Sequence, residues 1–171
     1  VLEDEFLRVV TNKNHRMSHE ELALRHIVFV LYGSESYKSS LPKFLNSGMM
    51  ELGQLDDKIL QKLRSNFLAA MTTAYDIFGE HSFKKTLAVP SHKKVVNKPL
   101  FEAVSVCFAS IDDDQRKYIS LKGKEFKELF KELLKDPKFD ISISKSTANT
   151  DNVQTRFRKV RETLGKILNK R

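Results

Sequence analysis

One stretch of the sequence, residues 52–78, decides the fold class. It reads LGQLDDKILQKLRSNFLAAMTTAYDIF. Its apolar side chains recur every three or four positions, which is the spacing of one face of an α-helix. The residues on this face are Leu52, Leu55, Ile59, Leu63, Phe67, Met71, Ala74 and Phe78. Gly79 follows at once and can adopt the left-handed conformation that ends a helix, so the stretch predicts one long amphipathic helix.

The same periodicity predicts helices upstream of this stretch. We expect them over residues 2–10, 18–32 and 41–48. In the second of these, Ser18 and Glu21 match a capping box, in which each side chain bonds to the backbone amide of the other residue.

Helical patterns also continue downstream. Asn97 begins one helix, Ser120 caps another, and Thr150 or Asp151 caps the last. Residues 140–152 are rich in Ser, Thr and Asn, which predicts a loop, with a short extended piece at 141–144.

These patterns together predict an all-α fold. We expect residues 1–171 to form one compact helical domain of about six to eight helices, with the long amphipathic helix at its centre. No apolar run reaches the roughly 18–20 residues that span a bilayer, so no membrane partner is expected. The single cysteine, Cys107, cannot form an intrachain disulfide, which favours a cytoplasmic location.

The excess of positive charge is confined to the second half of the chain. The sequence has 30 Lys and Arg against 22 Asp and Glu, a net charge of +8. Residues 1–85 hold eleven basic and eleven acidic side chains, whereas residues 86–171 hold nineteen and eleven. This asymmetry predicts an anionic partner.

The last helix is the strongest candidate for an anion-binding surface. Its basic side chains greatly outnumber its acidic ones, and several lie opposite the apolar stripe. The candidate phosphate or DNA contacts are Arg156, Arg158, Lys159, Arg161 and Lys166. The alternative is a solvated helix whose cations also suit the negative carboxyl-terminal end of the helix dipole.

Arg16, Glu21 and Arg25 form a second candidate group for a motif or an interface. Glu21 and Arg25 are four positions apart, as are Arg16 and Glu20, and such spacing favours surface ion pairs. Alternatively, Arg16 or Arg25 binds a ligand phosphate or a partner carboxylate through its planar guanidinium.

Signatures of catalysis are missing from the sequence. It has no Gly-rich phosphate loop, no Cys-x-x-Cys pair and no Gly-x-Ser-x-Gly turn. His19 and His26 are seven positions apart, about 10 Å along a helix, which is too far for one metal ion. We therefore expect this chain to be no enzyme and to hold no cofactor or metal.

Five short motifs, in this order, resemble a known bacterial family. Residues 16–25 read RMSHEELALR, 44–50 FLNSGMM, 77–83 IFGEHSF, 97–102 NKPLFE and 150–156 TDNVQTR. They resemble the carboxyl-terminal helical region of the family called domain of unknown function 262, which includes subunits of GmrSD-type restriction systems. Arg16, Glu21, Arg25 and Arg156 match characteristic positions of that region.

The resemblance implies that this chain is a helical fragment of a longer protein. Family members resemble a ParB/sulfiredoxin-like, nucleotide-hydrolysing domain joined to such helices, sometimes with an HNH-type nuclease domain. Their nucleotide motif, Asp-Gly-Gln-Gln-Arg, is absent here, so the resemblance assigns this chain no catalytic residue.

Two functions remain open. In the first, the chain is a non-catalytic helical module of a bacterial, phage-defence protein of the restriction type, which supports an absent amino-terminal nucleotide-binding domain and contacts DNA. In the second, it is a protein–protein assembly module that touches no nucleic acid, with that domain or a second copy in a homo-oligomer as its partner.

Overall fold

The structure, a computed structural model, describes residues 16–38 and 40–170. These residues contain eight α-helices joined by turns and short connecting segments. They are α1 (Arg16–Tyr32), α2 (Leu41–Leu52), α3 (Asp57–Phe78), α4 (Lys98–Ala109), α5 (Asp113–Leu121), α6 (Gly123–Lys135), α7 (Pro137–Ser144) and α8 (Thr150–Leu168). Single 3-10 turns occupy Ser34–Ser36, Gly79–His81 and Lys85–Leu87. No strand occurs in these residues, and the predicted all-α class and helix number are confirmed.

The long amphipathic helix is present as α3, but it begins five residues later than predicted. Asp56 caps it, because its Oδ1 accepts a hydrogen bond of 2.9 Å from the backbone amide of Ile59. Residues 53–56 form a turn between α2 and α3. At the other end, Gly79 has the predicted positive φ, 57°.

The prediction that α2 ends at Gly48 is wrong, since the helix continues to Leu52. Gly48 instead lies where α2 packs on α1. A Cβ atom at this position would overlap both methyl groups of Val28. The glycine therefore permits close approach of two helices rather than a turn.

The capping box predicted for α1 is also wrong. The helix already includes Arg16 and Met17, so Ser18 is not its first residue. The carboxylate of Glu21 instead receives hydrogen bonds from Arg25 and Lys98. The helix predicted over residues 2–10 lies outside the described residues.

Ser120 does not cap a helix, because it lies inside α5. Asp112 and Gln115 form the capping box of α5, each side chain bonding to the backbone amide of the other residue. The next helix, α6, begins at Gly123.

Residues 141–144 are helical, not extended. Asp136 caps α7 by accepting from the amide of Phe139 at 2.8 Å, and Pro137 fits the first helical position. These two residues outweigh the alternation of Ile and Ser that suggested a strand. Asn149, rather than Thr150 or Asp151, caps α8.

Helix α4 is the most buried element of the fold. All nine residues from Leu100 to Phe108 are buried, including Glu102 and Ser105. The predicted apolar stripe of α8 packs into the same core through Val153, Phe157, Val160, Leu164 and Ile167. Burial on all sides over residues 100–108 places Glu102 and Ser105 inside the core.

Within the described residues, every helix is too short or too polar to cross a membrane.

Candidate anion-binding cleft

A buried ion network joins α1, α4 and α8. Glu102 on α4 pairs through Oε1 with Nη2 of Arg156 and, through Oε2 at 2.9 Å, with Nη1 of Arg25. The side chains of Glu102, Arg156 and Arg25 are 0%, 1% and 11% exposed. Buried charges require such pairing, because an isolated ion in the core loses its hydration without compensation.

Arg156 is therefore a core residue, and its predicted place on a face open to phosphates is wrong. Its Nη1 donates to the carbonyl oxygens of Ser142 at 3.2 Å and Thr147 at 2.8 Å. Its Nε is buried and has no hydrogen-bond partner among the described residues. The sequence placed Arg156 beside the apolar stripe, and Glu102 is the residue that draws it inward.

Glu21 extends this network towards the surface. Its Oε1 accepts from Arg25 Nε at 2.9 Å and lies 2.8 Å from Arg25 Nη2, and its Oε2 pairs with Lys98. Burial acts to raise the pKa of Glu21, but the hydrogen bonds from Lys98 and Arg25 outweigh it and bring the pKa below its ordinary value. The predicted pair of Glu21 with Arg25 is confirmed, whereas the side chain of Arg16 lies outside the described residues.

A cleft of about 500 Å³ opens beside this network. The segment between α3 and α4 and the first two residues of α4, together with Arg25 and Thr147, line it. Its ionisable lining side chains are Arg25, Lys85, His92, Lys93 and Lys98, and none of its lining residues is acidic. We call it the cationic cleft.

The chain around the cleft is a basic segment, and none of its residues was among the predicted phosphate contacts. Residues 81–101 contain five lysines and two histidines but no Asp or Glu. Lys93 and Lys94 are exposed and make no ion pair within the described part of the chain. A long stretch without acidic residues was the signal in the sequence that could have identified this site.

Lys84, in the same segment, is held in the interior. Burial lowers its pKa; the charge of Glu80 acts in the opposite direction, and that of Lys94 adds to the lowering. Its Nζ donates to the carbonyl oxygen of Glu80 at 2.7 Å. Lys84 therefore anchors the segment from the inside, whereas Lys93 and Lys94 are exposed to solvent.

Three polar contacts, made by Asn97 and Lys85, hold the walls of the cleft in place. Asn97 caps α4, with Oδ1 accepting from the amide of Leu100 at 2.8 Å and Nδ2 donating to the carbonyl oxygen of Ile143 at 2.8 Å. Lys85 pairs with Asp140 at 2.5 Å. The positive end of the α4 dipole thus lies at the cleft, beside Lys98.

The other cations predicted on the last helix are mostly neutralised within the fold. Arg158 pairs with Glu162 at 2.8 Å, Lys159 with Asp136 at 2.9 Å, and Arg161 with Glu35. Lys166 is exposed and makes no ion pair with the described residues. This pairing agrees with the alternative of a solvated helix, and the structure does not gather these five residues into one phosphate site.

His26, which was considered as a metal ligand, and Cys107 are both buried. His26 is buried, with Nδ1 2.9 Å from Ser105 Oγ, and burial lowers its pKa to about 3. Burial likewise raises the pKa of the Cys107 thiol to about 12. Within the described residues, no group of three or more His, Cys, Asp or Glu side chains could hold a metal ion.

Comparison with protein-family models, with curated proteins and with solved structures gave no match to this chain.

Proposed function

We propose that this chain is a non-catalytic helical module of a bacterial defence protein of the restriction type, and that it contacts DNA through the cationic cleft and Lys94 beside it. The resemblance of its motifs to the domain-of-unknown-function 262 family supports the biological setting. The amino-terminal nucleotide-binding domain of that family would be its partner within the same protein.

One observation carries the DNA contact: a concave surface lined by five basic side chains and no acidic one. Nine of the other sixteen described cations of the second half pair with carboxylates, whereas Lys93, which lines the cleft, and Lys94 next to it are exposed and have no ion pair in the described residues. Unpaired lysines can release the counterions condensed on DNA, and this release supplies most of the affinity for a phosphate backbone.

Binding of a duplex to the 171-residue chain, measured at several salt concentrations, tests this proposal. The double variant Lys93→Gln/Lys94→Gln removes two cations from exposed positions. We expect the slope of log affinity against log salt to become shallower by about two, since each phosphate contact contributes about 0.9.

The matched control is Lys58→Gln/Lys62→Gln, which removes two exposed cations from the first turns of α3. These lysines do not line the cleft, and we expect the salt slope to stay unchanged. Absence of duplex binding at about 50 mM salt would refute the DNA contact. An equal change in both double variants would show that the cleft is not the place of contact.

An apolar patch favours the second candidate, a protein–protein assembly module. The side chains of Met49 and Met50 at the end of α2 are 56% and 73% exposed, and Ile59 and Leu60 at the start of α3 are also exposed. The four side chains fall within the twelve residues 49–60, and exposed apolar side chains concentrated in one region are typical of a surface that another protein covers.

Size-exclusion chromatography with light scattering tests this candidate. The double variant Met49→Gln/Met50→Gln should abolish any dimer that the unaltered chain forms or any complex with the amino-terminal domain. A control at an isolated exposed position, Leu121→Gln, should leave assembly intact. Assembly that survives the methionine changes would contradict the role of this patch.

A further inference from the structure

The cationic cleft is built to receive more charge than one phosphodiester carries. The ions at the cleft and directly behind it are the cations of Arg25, Lys85, Lys93, Lys98 and Arg156 and the carboxylates of Glu21, Glu102 and Asp140. Five cations against three carboxylates give this group a net charge of +2, and Lys93 is the member that makes no ion pair with the described residues. A phosphate monoester carries about −1.5 to −2 charges at pH 7, and a diester carries only one.

Arg25 has donors left over for a ligand. Three of its five N–H groups are engaged, Nε and Nη2 by Glu21 and Nη1 by Glu102. The remaining two, one on each terminal nitrogen, have no partner among the described residues. Because two carboxylates fix the guanidinium, it would bind an anion without losing side-chain freedom.

The position of Arg25 determines which phosphates can reach it. Its side chain lines the cleft but is only 11% exposed. A phosphate within a continuous duplex is flanked by sugars on both sides, which hinders its approach to so deeply buried a side chain. A terminal phosphate, attached on one side only, can enter the cleft.

From these observations we propose that the cationic cleft binds a phosphomonoester, on the guanidinium of Arg25 and the ammonium groups of Lys93 and Lys98 at the amino-terminal end of α4. The chemistry fits the 5′-phosphate of a DNA end and a free nucleoside monophosphate equally. This inference deepens the proposed function and rests on it for DNA as the source of the phosphate.

The test compares one oligonucleotide duplex with and without 5′-phosphates, together with a nucleoside 5′-monophosphate and the matching nucleoside, by calorimetric titration of the 171-residue chain. We expect the phosphorylated duplex to bind about ten-fold more tightly than the hydroxyl form, the effect of one or two charge-assisted hydrogen bonds. If the monophosphate binds as tightly as the phosphorylated duplex and the nucleoside does not bind, the natural source is a free nucleotide.

Two variants assign the preference to the cleft. Arg25→Lys keeps the charge but loses the planar fork, and Lys93→Gln removes an exposed cation without disturbing a described contact. Each should reduce the preference for the phosphorylated form, and Lys138→Gln, at an exposed position outside the cleft, should retain it. If Arg25→Lys fails to fold, Lys93→Gln alone decides.

The outcomes separate this inference from the proposed function. Equal binding of the two duplexes, with no binding of the monophosphate, overturns the phosphomonoester site and leaves the backbone contact standing. Binding of the monophosphate without any duplex binding refutes the DNA contact and supports the site with a free nucleotide as its ligand. A preference that persists in Lys93→Gln overturns the assignment to this cleft.

Discussion

Glu102 and Arg156, 54 positions apart in the chain, form an ion pair from which solvent is excluded. Arg25 approaches the same carboxylate from a third helix. Such a buried pair adds little stability over an apolar core of the same volume. Removing one partner, however, leaves the other charge buried without compensation, which is strongly destabilising. The pair therefore makes the fold intolerant of change at either residue.

The first prediction concerns Arg156. Arg156→Ala leaves Oε1 of Glu102 without its partner in the core, and we expect the free energy of unfolding to fall by about 3–5 kcal/mol. Unfolding in urea, followed by circular dichroism, measures the loss. Arg158→Ala, two positions away in an exposed pair, should change it by less than about 0.5 kcal/mol. Similar small losses in both variants would mean that the buried pair is not formed.

The second prediction concerns the contact of α2 with α1. Gly48→Ala adds a methyl group where the side chain of Val28 already lies. We expect this overpacking to lower the free energy of unfolding by about 1–3 kcal/mol. Gly53→Ala is the control, because its Cβ would meet nothing nearer than 3.6 Å and its φ is −67°. Alanine has less backbone freedom than glycine in the unfolded chain and so loses less on folding. We therefore expect Gly53→Ala to raise the free energy of unfolding by about 0.4–1 kcal/mol. Thermal unfolding should show a lower midpoint temperature for Gly48→Ala and a higher one for Gly53→Ala. A higher midpoint for Gly48→Ala would contradict the close packing of α2 on α1.

The third prediction concerns the pH dependence of stability. Burial lowers the pKa of His26 from 6.5 to about 3, so this imidazole stays neutral in the folded chain while the unfolded chain takes up a proton. The contribution of the neutral His26 to stability is therefore complete above pH 6.5. As the pH falls from 6.5 towards 3, the free energy of unfolding decreases by up to about 1.4 kcal/mol per pH unit.

Urea unfolding between pH 7 and 5, above the range in which the carboxyl groups titrate, measures this slope. We expect His26→Gln to be less stable at pH 7 but to have a flatter pH dependence. His92→Gln removes an exposed imidazole and should keep the slope of the unaltered chain. The assignment to His26 fails if the slope is the same in all three proteins.

The fourth prediction concerns Cys107, which is the only cysteine of the chain. Burial raises the pKa of its thiol to about 12, and the thiolate is the form that attacks a disulfide reagent. We expect labelling at pH 8 to require unfolding and its rate to rise steeply with urea concentration. The chain in concentrated urea is the positive control and should react at once. Rapid labelling in buffer, insensitive to low urea, would show that the thiol is accessible.

Periodicity was enough to predict the fold class, because the helices bury apolar stripes at a spacing that the sequence displays directly. The stripe of α8 and the end of α3 at Gly79 are both confirmed. The errors lie at helix boundaries and in residues 141–144, which are helical rather than extended. At Gly48 the deciding factor was the proximity of Val28, and along residues 141–144 it was the cap at Asp136, which overrode the local alternation.

The candidate site was harder to predict than the fold. The pairing of Glu21 with Arg25 is local and follows from their spacing. Glu102, by contrast, contacts Arg25 and Arg156 only after three helices that are distant in the sequence pack together. No local sequence pattern predicts these two ion pairs. The cations of α8 suggested a basic surface, but their partners Glu35 and Asp136 lie far away in the sequence.

The same buried pair also constrains how the chain folds as it is synthesised. Arg156 belongs to the last helix, so Glu102 leaves the ribosome well before its partner exists. Until α8 is made, the carboxylate in the centre of α4 has only Arg25 to neutralise it, and the apolar stripe of α8 is missing from the core. We therefore expect the nascent chain to stay open around α4 and to close in one later step, when α8 docks.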